Sequence, residues 1–293
     1  MNFKDELKNY ANIINVEIEK KLIKEDVIEK KLNNSVEYSL MAGGKRIRPV
    51  LMIAVYKLFK SDFEKVFPFA ISMEMIHNFS LIHDDLPGID NDDFRHGKPT
   101  NHKAFGEATA ILAGDLLLNK AYLLLGEEFA KNSDDIDLKI KAFNELTNGV
   151  NRMIIGEYVD TEFEGQKVSD DYLEYMHKNK TGALIKASIR IGAILAGASE
   201  EDIEKLTQYG ECIGLAFQIK DDILDVIGDV EELGKPVGND VEKHKSTFVT
   251  KYGLEESINR LNKVTEEAIE IIGEYESGEF LKELAIFIRD RKK

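Results

Sequence analysis

Two separate clusters of aspartate are the residues best suited to chemistry in this 293-residue sequence. The first cluster spans residues 84–90 (DDLPGID), and the second spans residues 221–225 (DDILD). Carboxylates that converge repel one another unless a cation joins them, and hard oxygen ligands suit Mg²⁺. Each cluster therefore predicts a magnesium site. The alternatives are a solvated acidic helix end for the first cluster and an internal salt-bridge network for the second.

The spacing inside each cluster predicts how its carboxylates come together. In one unbroken helix Asp84 and Asp90 would point away from each other, but Pro87-Gly88 interrupts the helix. We therefore expect Asp90 to fold back beside Asp84. Asp221 and Asp225 are four residues apart, so on a helix they share one face. Their neighbours are apolar, and carboxylates in such a setting need a partner.

Four glycine-containing segments supply cations that suit an anionic ligand. They are GGKRIRP (43–49), RHGKP (95–99), KTG (180–182) and GKP (234–236), the last followed by Asp240 and Lys245. Arginine matches phosphate oxygens in a bidentate manner, and lysine supplies a point charge. The nucleotide-binding pattern GxxxxGK[ST] does not fit, because Arg46 follows Gly44-Lys45 and Pro236 follows Gly234-Lys235. Taken singly, each basic segment also fits an ordinary charged surface.

Four of the six histidines fall between residues 77 and 102. His77 lies seven residues before Asp84, about two helical turns away on nearly the same face. Neither HExxH nor a Cys/His ligand spacing is present, so a zinc site is a weak alternative. For His83 and His102 we expect structural roles.

Composition and charge disfavour several kinds of partner. The net charge is −15, with 43% hydrophobic and 32% charged residues. An acidic chain lacks the basic surface that general nucleic-acid binding needs, and it is equally unsuited to anionic lipid. Cys212 is the single cysteine, so it forms no internal disulfide. The N-terminal residues do not read as a secretory signal, and we expect no apolar stretch of about 18 residues. These features predict a cytoplasmic protein without a membrane anchor.

The elements that must position these groups are helices. Between the five prolines run segments with apolar residues close to i, i+3, i+4 and i+7, namely residues 7–40, 107–130 and 182–227. Alternating strand-like runs are scarce, and no linker or internal repeat divides the chain. We therefore predict an all-α fold in which residues 1–293 form a single domain of about ten or more helices, many of them long.

Together, these motifs resemble those of the short-chain trans-prenyl diphosphate synthases. The likeness extends from about residue 35 to 290 and rests on GGKRIRP (43–49), SLIHDDLPGIDNDDFRHGKPTNH (80–102), AGD (113–115), KTGAL (180–184), FQIKDDILDVIGD (217–229) and LGKPVGND (233–240). Paired aspartate-rich motifs at this separation are highly specific. The four residues between Asp85 and Asp90 look like the bacterial farnesyl type, which plant geranylgeranyl synthases share.

The resemblance implies a helical bundle around a central cavity, a homodimer, and three Mg²⁺ ions that hold an allylic diphosphate. The implied metal ligands are Asp84, Asp90 and Asp221, assisted by Asp85, Asp222 and Asp225. The implied ligands of the allylic diphosphate are Arg95, Lys180, Lys235 and Lys245. The implied ligands of isopentenyl diphosphate are Lys45, Arg48, His77 and His96. The groups implied to face the developing allylic cation are Thr181 and Gln218.

Three positions, His96, Glu157 and Phe79, bear on substrate binding and product length. Where the family usually has Arg-Arg, this sequence has Arg95-His96, so we expect weaker or more pH-dependent binding of isopentenyl diphosphate. Glu157 stands where many relatives have glutamine, and the sequence offers no account of its effect. Phe79 lies five residues before Asp84, just over one turn deeper along the helix. An aromatic ring there would stop the growing chain early, which favours the C15 product.

The activity implied is the magnesium-assisted condensation of isopentenyl diphosphate with dimethylallyl and geranyl diphosphate to give farnesyl diphosphate. A geranylgeranyl diphosphate synthase and a non-catalytic synthase subunit are the alternatives within the family. A non-catalytic subunit could lack the second acidic cluster, which is intact here. A class I terpene cyclase would not need Lys45, Arg48 and His77, and a calcium-binding helical protein would leave the cations unexplained.

Overall fold

The protein folds almost entirely into helices. The computed structural model describes residues 2–22, 28–131, 135–166, 168–227 and 246–292. Within those ranges it contains thirteen α-helices, one short 3₁₀-helix and one two-stranded hairpin. This confirms the all-α fold with ten or more helices that the sequence predicts. The predicted site residues Lys235 and Lys245 lie outside the described residues, as does Asp240.

The first helices span Phe3–Glu19 (α1), Lys30–Leu40 (α2), Ile47–Tyr56 (α3), Phe67–Asp84 (α4), Asn101–Phe105 (α5), Glu107–Ala130 (α6) and Ile136–Glu162 (α7). The remaining described helices span Asp170–Lys180 (α8), Gly182–Ala196 (α9), Glu200–Ile227 (α10), Phe248–Tyr252 (α11), Leu254–Ile272 (α12) and Glu279–Asp290 (α13). The 3₁₀-helix is Glu64–Val66, and the strands are Phe94–Arg95 (β1) and Lys98–Pro99 (β2).

The predicted helical segments are present, and two of them are divided. Residues 107–130 form α6 alone. The segment 182–227 is divided at Gly197, which has a φ of 71° and ends α9. The amide of Ala198 donates to the carbonyl of Ala193 at 3.0 Å, the hydrogen bond that closes a Schellman turn. Residues 7–40 are divided between α1 and α2.

The apolar faces of these helices meet in one hydrophobic core. Helix α9 is buried on nearly every side, and it packs against α3, α7 and α10. Its approach to α3 depends on Gly192, because a Cβ atom there would lie 2.4 Å from the Met52 carbonyl oxygen. On the other side of the molecule α4 packs along α6. The ends of α4, α8 and α10 carry the polar motifs that the sequence singles out.

Helix α6 is unusually apolar for a helix that is only partly buried. Among the described residues, it is the one helix with the length and composition of a membrane span, with a mean hydropathy of 1.4 in its most apolar 18-residue window. We expected no apolar stretch of this length, and that prediction was wrong for α6, whose apolar window contains at most two charged residues. Core helices of soluble proteins can have the same length and composition, and 39% of this window is buried.

Candidate active site

The first acidic cluster sits where α4 ends. Asp84 is the last residue of the helix, and Asp85 caps it. Pro87 and Gly88 follow in a turn in which the amide of Asp90 donates to the carbonyl oxygen of Asp84 at 2.8 Å. The predicted return of Asp90 to the side of Asp84 is therefore confirmed at the level of the backbone.

The carboxyl group of Asp84 lies where a negative charge is disfavoured. Burial, and after it the nearby Glu157, raise the pKa of Asp84 to about 8, with a further contribution from Asp90. Lys180 and Arg95 act in the opposite direction without cancelling this effect. A carboxyl group in such a setting gains from a bound cation, because the cation removes the repulsion between neighbouring carboxylates.

Asp85 is held by Arg95 in a short ion pair in which the carboxylate is buried and the guanidinium is partly exposed. The Nε atom of Arg95 lies 2.9 Å from both carboxylate oxygens of Asp85, and Nη2 donates to Oδ1 at 2.6 Å. Only 4% of the Asp85 side chain is exposed. Burial raises the pKa of Asp85, and the bonds from Arg95 offset part of that rise. In this state the guanidinium predicted to bind diphosphate is already occupied by a carboxylate.

A short hairpin presents Arg95 and His96 beside the first cluster. β1 pairs antiparallel with β2, and Arg95 lies opposite Lys98. The two turn residues, His96 and Gly97, have φ angles of 52° and 73°. Two consecutive left-handed residues define a type I′ turn, and histidine tolerates that conformation better than most side chains do.

Lys180 occupies the junction of α8 and α9, directly beside α7. A Cβ atom at Gly156 on α7 would lie 2.1 Å from the Lys180 amide nitrogen, so only glycine permits this approach. The ammonium of Lys180 donates to Asp160 Oδ2 at 2.6 Å and lies 2.9 Å from Glu157 Oε2. Burial alone would lower the pKa of Lys180, but Asp160 and Glu157 raise it above its usual value.

Asp160 and Glu157 are site residues to which the sequence reasoning assigned no role. Both lie in GEYVD (156–160) on α7, where a three-residue spacing places them on one helix face. That spacing was a usable signal, but their partner Lys180 lies 20 residues after Asp160 and 23 after Glu157, and only the packing of α7 on α8 shows the pairing.

Thr181, the residue after Lys180, lies between this junction and the second acidic cluster. Its hydroxyl donates to Gln218 Oε1 at 2.7 Å, and Gln218 Nε2 lies 3.4 Å from Asp222 Oδ1. Gly214 on α10 makes this contact possible, because a Cβ atom there would lie 3.0 Å from the Gly182 Cα atom. The predicted pair Thr181 and Gln218 is thus in direct contact.

The three aspartates of the second cluster have different surroundings. Asp222 and Asp225 are buried, whereas Asp221 is 40% exposed at its side chain. Asp222 Oδ2 accepts the backbone amide of Phe248 at 2.8 Å and so holds the start of α11. Asp221 Oδ1 accepts a bond of 2.6 Å from Arg291, a cation that the sequence reasoning did not include.

Arg291 reaches the second cluster from the end of α13. Its guanidinium lies 4.0 Å from the centre of the Phe217 ring and donates to the Phe217 carbonyl oxygen at 2.9 Å. Only 9% of its side chain is exposed. Nothing in the local sequence around residue 291 indicated this contact, because Asp221 is seventy residues away.

The glycine-rich segment before α3 brings a second set of cations to the site. Gly43 and Gly44 have φ angles of 111° and 109°, which side chains rarely adopt. Arg48 Nη1 lies 3.1 Å from His77 Nε2. Because arginine can only donate, Nε2 accepts and His77 is neutral. Burial, then Arg48, hold the pKa of His77 well below its usual value.

The charge of Arg48 also interacts with the carboxylate of Asp221 in the second acidic cluster. Burial lowers the pKa of Arg48, while the carboxylates of Glu74 and Asp221 oppose that change. Its Nε atom is buried and has no hydrogen-bond partner. Lys45 extends over the Phe287 ring of α13, with Nζ 5.4 Å from the ring centre.

His96 is exposed at the tip of the hairpin and faces a cationic neighbourhood. Partial desolvation of the ring by its neighbours, and then the charge of Arg95, lower its pKa from the usual value. Arg46 and Lys45 act in the same direction, and Glu74 opposes them. His96 is therefore less often charged at neutral pH than a free histidine, whereas an arginine at the same position would always be charged.

The described site residues thus form two adjoining groups. The group around the end of α4 contains Asp84, Asp85, Asp90, Arg95 and Lys180. The group around the start of α3 contains Lys45, Arg48, His77 and His96. Within the part of the chain that the structure describes, no three acidic, histidine or cysteine side chains form a ready-made metal centre. A metal here would need ligands from a bound molecule as well.

Comparison with known proteins defines the class of this fold and site. Residues 29–284 match the family described as polyprenyl synthetase. The farnesyl diphosphate synthase of Micrococcus luteus is 41% identical over 289 residues, which span 98% of this chain and 97% of that protein. The geranylgeranyl diphosphate synthase of Cyanophora paradoxa is 42% identical over 277 residues, spanning 91% and 92%.

A solved structure agrees with these sequence matches. The geranyltransferase from Helicobacter pylori, complexed with magnesium and isoprenyl diphosphate, superposes with a TM-score of 0.87, covers 98% of both chains and is 29% identical. The chain belongs to the polyprenyl synthetase family and is a trans-prenyl diphosphate synthase. The two relatives are named for products of different length, so membership of the family does not determine the length of the product.

Proposed function

We propose that this chain is a (2E,6E)-farnesyl diphosphate synthase that condenses isopentenyl diphosphate with dimethylallyl and then geranyl diphosphate. The observation that carries the proposal is the junction between α8 and α9. Lys180 lies among the carboxylates around Asp84. The next residue, Thr181, binds Gln218, which precedes Asp221 by three residues. The adjacent residues Lys180 and Thr181 therefore connect the two acidic clusters, which would bind one diphosphate between them.

The acidic clusters would hold magnesium, for which we propose three ions with Asp84, Asp85, Asp90, Asp221 and Asp225 as ligands. The donor set fits this ion, because it consists of carboxylates alone and includes the buried carboxyl of Asp84. Diphosphate oxygens of the substrate would complete the coordination. When bound, magnesium would neutralise the negative charge that grows on the leaving diphosphate.

The cations of the first group would bind the allylic diphosphate. Arg95 and Lys180 are positioned by Asp85 and by the acids of α7, so each would share or exchange its carboxylate partner when phosphate oxygens arrive. We assign Lys235 and Lys245 to the same diphosphate on the resemblance alone. Because Lys180 is buried and remains charged, it stabilises the product diphosphate more than a solvated ammonium would.

The second group would bind isopentenyl diphosphate through Lys45, Arg48, His77 and His96. The Arg48–His77 contact supports this role, because neutral His77 aims the guanidinium without competing for the anion. The buried Nε–H of Arg48 has no partner among the described residues, which leaves a donor available to a ligand oxygen. His96 adds a ring donor at the rim of this site.

The reaction breaks the C1–O bond of the allylic diphosphate and leaves an allylic cation. The double bond of isopentenyl diphosphate attacks that carbon, and the proton then lost passes to the released diphosphate. The oxygens of Thr181 and Gln218, fixed by their mutual hydrogen bond, would face the cation with their negative ends. Apolar side chains around the bound hydrocarbon would exclude water that would otherwise trap the cation.

Phe79 supports a C15 product. Its ring is 8% exposed and lies on α4 five residues before Asp84, deeper in the bundle. A hydrocarbon chain extending from the diphosphate along α4 would meet this ring. Geranylgeranyl diphosphate synthase is the second candidate, because relatives of both kinds are about equally similar to the chain. Product analysis of Phe79→Ala separates them, and unchanged product length would rule out Phe79 as the end of the pocket.

We further propose that residues 1–293 form one polyprenyl synthase domain and act as a cytoplasmic homodimer. The outer face of α6 supports the dimer, because Ile111, Leu112 and Leu123 are 39%, 55% and 57% exposed. A second copy that covers this face would bury an apolar patch that is costly to leave in water. Light scattering of the wild type and Leu112→Asp tests the dimer.

The activity itself is tested by incubating the protein with isopentenyl diphosphate, Mg²⁺ and each allylic primer, followed by chromatography of the products. We expect farnesyl diphosphate from both dimethylallyl and geranyl diphosphate. Release of no diphosphate with any primer would favour the non-catalytic subunit. Farnesyl diphosphate consumed to give a C20 main product would favour the second candidate.

A further inference from the structure

His83 lies between Phe79 and the neighbouring helix α6. It follows Phe79 by four residues on α4, so the two side chains stack along one helix face. Their ring centres are 4.9 Å apart and the ring planes meet at 74°, an edge-to-face contact. The His83 ring therefore touches the group proposed to end the hydrocarbon pocket.

The opposite side of the His83 ring is fixed on α6. Its Nε2 atom lies 3.0 Å from the carbonyl oxygen of Ile111. A carbonyl oxygen accepts only, so Nε2 carries a proton and donates it to this bond. The ring also fills a notch at Gly114, where a Cβ atom would lie 2.2 Å from Nε2 and 2.4 Å from Cδ2. Two independent contacts therefore set the position of the ring.

We propose that His83 is a positioning residue for product length: anchored on α6, its ring holds the Phe79 ring in place at the end of the hydrocarbon pocket. The inference rests on the proposed function, in which Phe79 limits the chain. It assigns to His83 no contact with the substrate, because the Nε2 donor is already used by Ile111. The α6 residues Ile111 and Gly114 thereby take part in product length.

The physical reason is that an aromatic ring at the end of a pocket blocks a growing chain only if it cannot turn aside. The Phe79 ring loses its edge contact when His83 is removed, and a space opens between α4 and α6. The Phe79 ring then tilts into that space, and the hydrocarbon chain gains room for a further isoprene unit.

The test measures the ratio of C20 to C15 product made by the full-length protein from geranyl diphosphate and isopentenyl diphosphate. We expect His83→Ala to raise the ratio about threefold or more, the change expected on losing one aromatic contact. His83→Gln keeps a donor for the Ile111 carbonyl and should give a smaller rise. Phe79→Ala should give the largest rise, and His83→Ala should add nothing to it.

A substitution on α6 approaches the same contact from the other side. Gly114→Ala displaces the His83 ring and should change the product ratio in the wild-type background but not in Phe79→Ala. Gly126→Ala is the matched control on the same helix, because nothing lies within 4 Å of its added Cβ atom. It should leave the ratio unchanged.

The outcomes separate the two proposals. Unchanged product length in Phe79→Ala would overturn Phe79 as the limit, and the role of His83 with it. A longer product in Phe79→Ala with an unchanged ratio in both His83 variants would overturn the role of His83 alone, whether or not kcat falls. An additional rise in the double variant would also overturn it, because His83 would then act independently. Melting curves of each variant establish that the protein compared is folded.

Discussion

Arg46 and Glu74 form an ion pair that is almost excluded from water, with side chains 3% and 4% exposed and an Nη1–Oε1 distance of 2.6 Å. Arg46 also donates to the Asn15 side chain at 2.9 Å and to the Leu40 carbonyl oxygen at 2.6 Å. Its backbone is left-handed, with a φ of 51°. Of the three cations in GGKRIRP, this one points into the core and fixes the backbone that carries Lys45.

The buried pair predicts a large effect of removing one partner. Glu74→Ala leaves the Arg46 charge buried and unpaired, and we expect a loss of about 3–5 kcal/mol in the free energy of unfolding. Urea denaturation measures it. Glu274→Ala is the matched control, because the Lys205–Glu274 pair is 39% and 61% exposed and should contribute about 1 kcal/mol or less. Similar losses in both variants would contradict the prediction.

His96 predicts a specific gain of function. Because its pKa is lowered, the ring carries little charge at pH 8, and His96→Arg would add a permanent charge to the isopentenyl diphosphate site. We expect the KM for isopentenyl diphosphate to fall about 3- to 10-fold at pH 8, with little change in the KM for geranyl diphosphate.

The left-handed backbone at His96 makes a second comparison useful. His96→Asn keeps a side chain that tolerates a φ of 52° and adds no charge. It should leave the KM for isopentenyl diphosphate close to that of the wild type. If the KM of His96→Arg for isopentenyl diphosphate equals that of the wild type throughout about pH 6 to 8, where free histidine titrates, His96 does not contribute to that site.

Asp84 predicts how the stability of the metal-free protein depends on pH. Its pKa rises from an ordinary value of 3.8 to about 8 on folding, so the folded state retains a proton that the unfolded state releases. The resulting stabilisation is complete below about pH 4 and is lost as the pH rises to about 8. Asp85 and Glu157, whose pKa values are also raised, act with the same sign.

Melting temperatures in a chelating buffer between about pH 5 and 8 measure this effect. We expect the wild type to lose stability with rising pH relative to Asp84→Asn, and Glu157→Gln to lie between them because it removes one neighbouring charge. Asp93→Asn is the control, since that exposed carboxyl pairs with Lys103 and its pKa is lowered. A wild type and Asp84→Asn with parallel profiles would contradict the prediction.

Gly156 predicts a strong effect on catalysis from a single methyl group. A Cβ atom at this position would lie 2.1 Å from the Lys180 amide nitrogen, and that nitrogen cannot move without moving the junction of α8 and α9. We expect Gly156→Ala to lower kcat/KM for geranyl diphosphate at least about 100-fold, as small displacements of catalytic groups do.

Gly165→Ala tests whether the effect is specific to that contact. Nothing lies within 4 Å of a Cβ atom at Gly165, although its φ of 74° makes the substitution mildly unfavourable. Its cost should therefore appear in the melting temperature and not in kcat/KM. Near-normal activity of Gly156→Ala would show that the junction tolerates displacement.

The sequence predicts those parts of the site that depend on local chain geometry. The return of Asp90 to Asp84 follows from Pro87-Gly88, and α6 follows from its apolar spacing. The inward turn of Arg46 could not be predicted, because lysine and arginine at adjacent positions look alike until the backbone conformation is known. The contacts of Asp160 and Arg291 depend on helices that meet only after packing.

The three charge pairs Arg95–Asp85, Lys180–Asp160 and Arg291–Asp221 have a kinetic consequence. Each cation is already neutralised by a carboxylate, so these pairs contribute little net field to attract an approaching anion. Long-range attraction by these cations then contributes little to encounter. Because the chain carries a net charge of −15, salt should raise the association rate of a diphosphate substrate by screening repulsion. The slow event becomes the exchange of carboxylate for phosphate partners after the ligand has arrived.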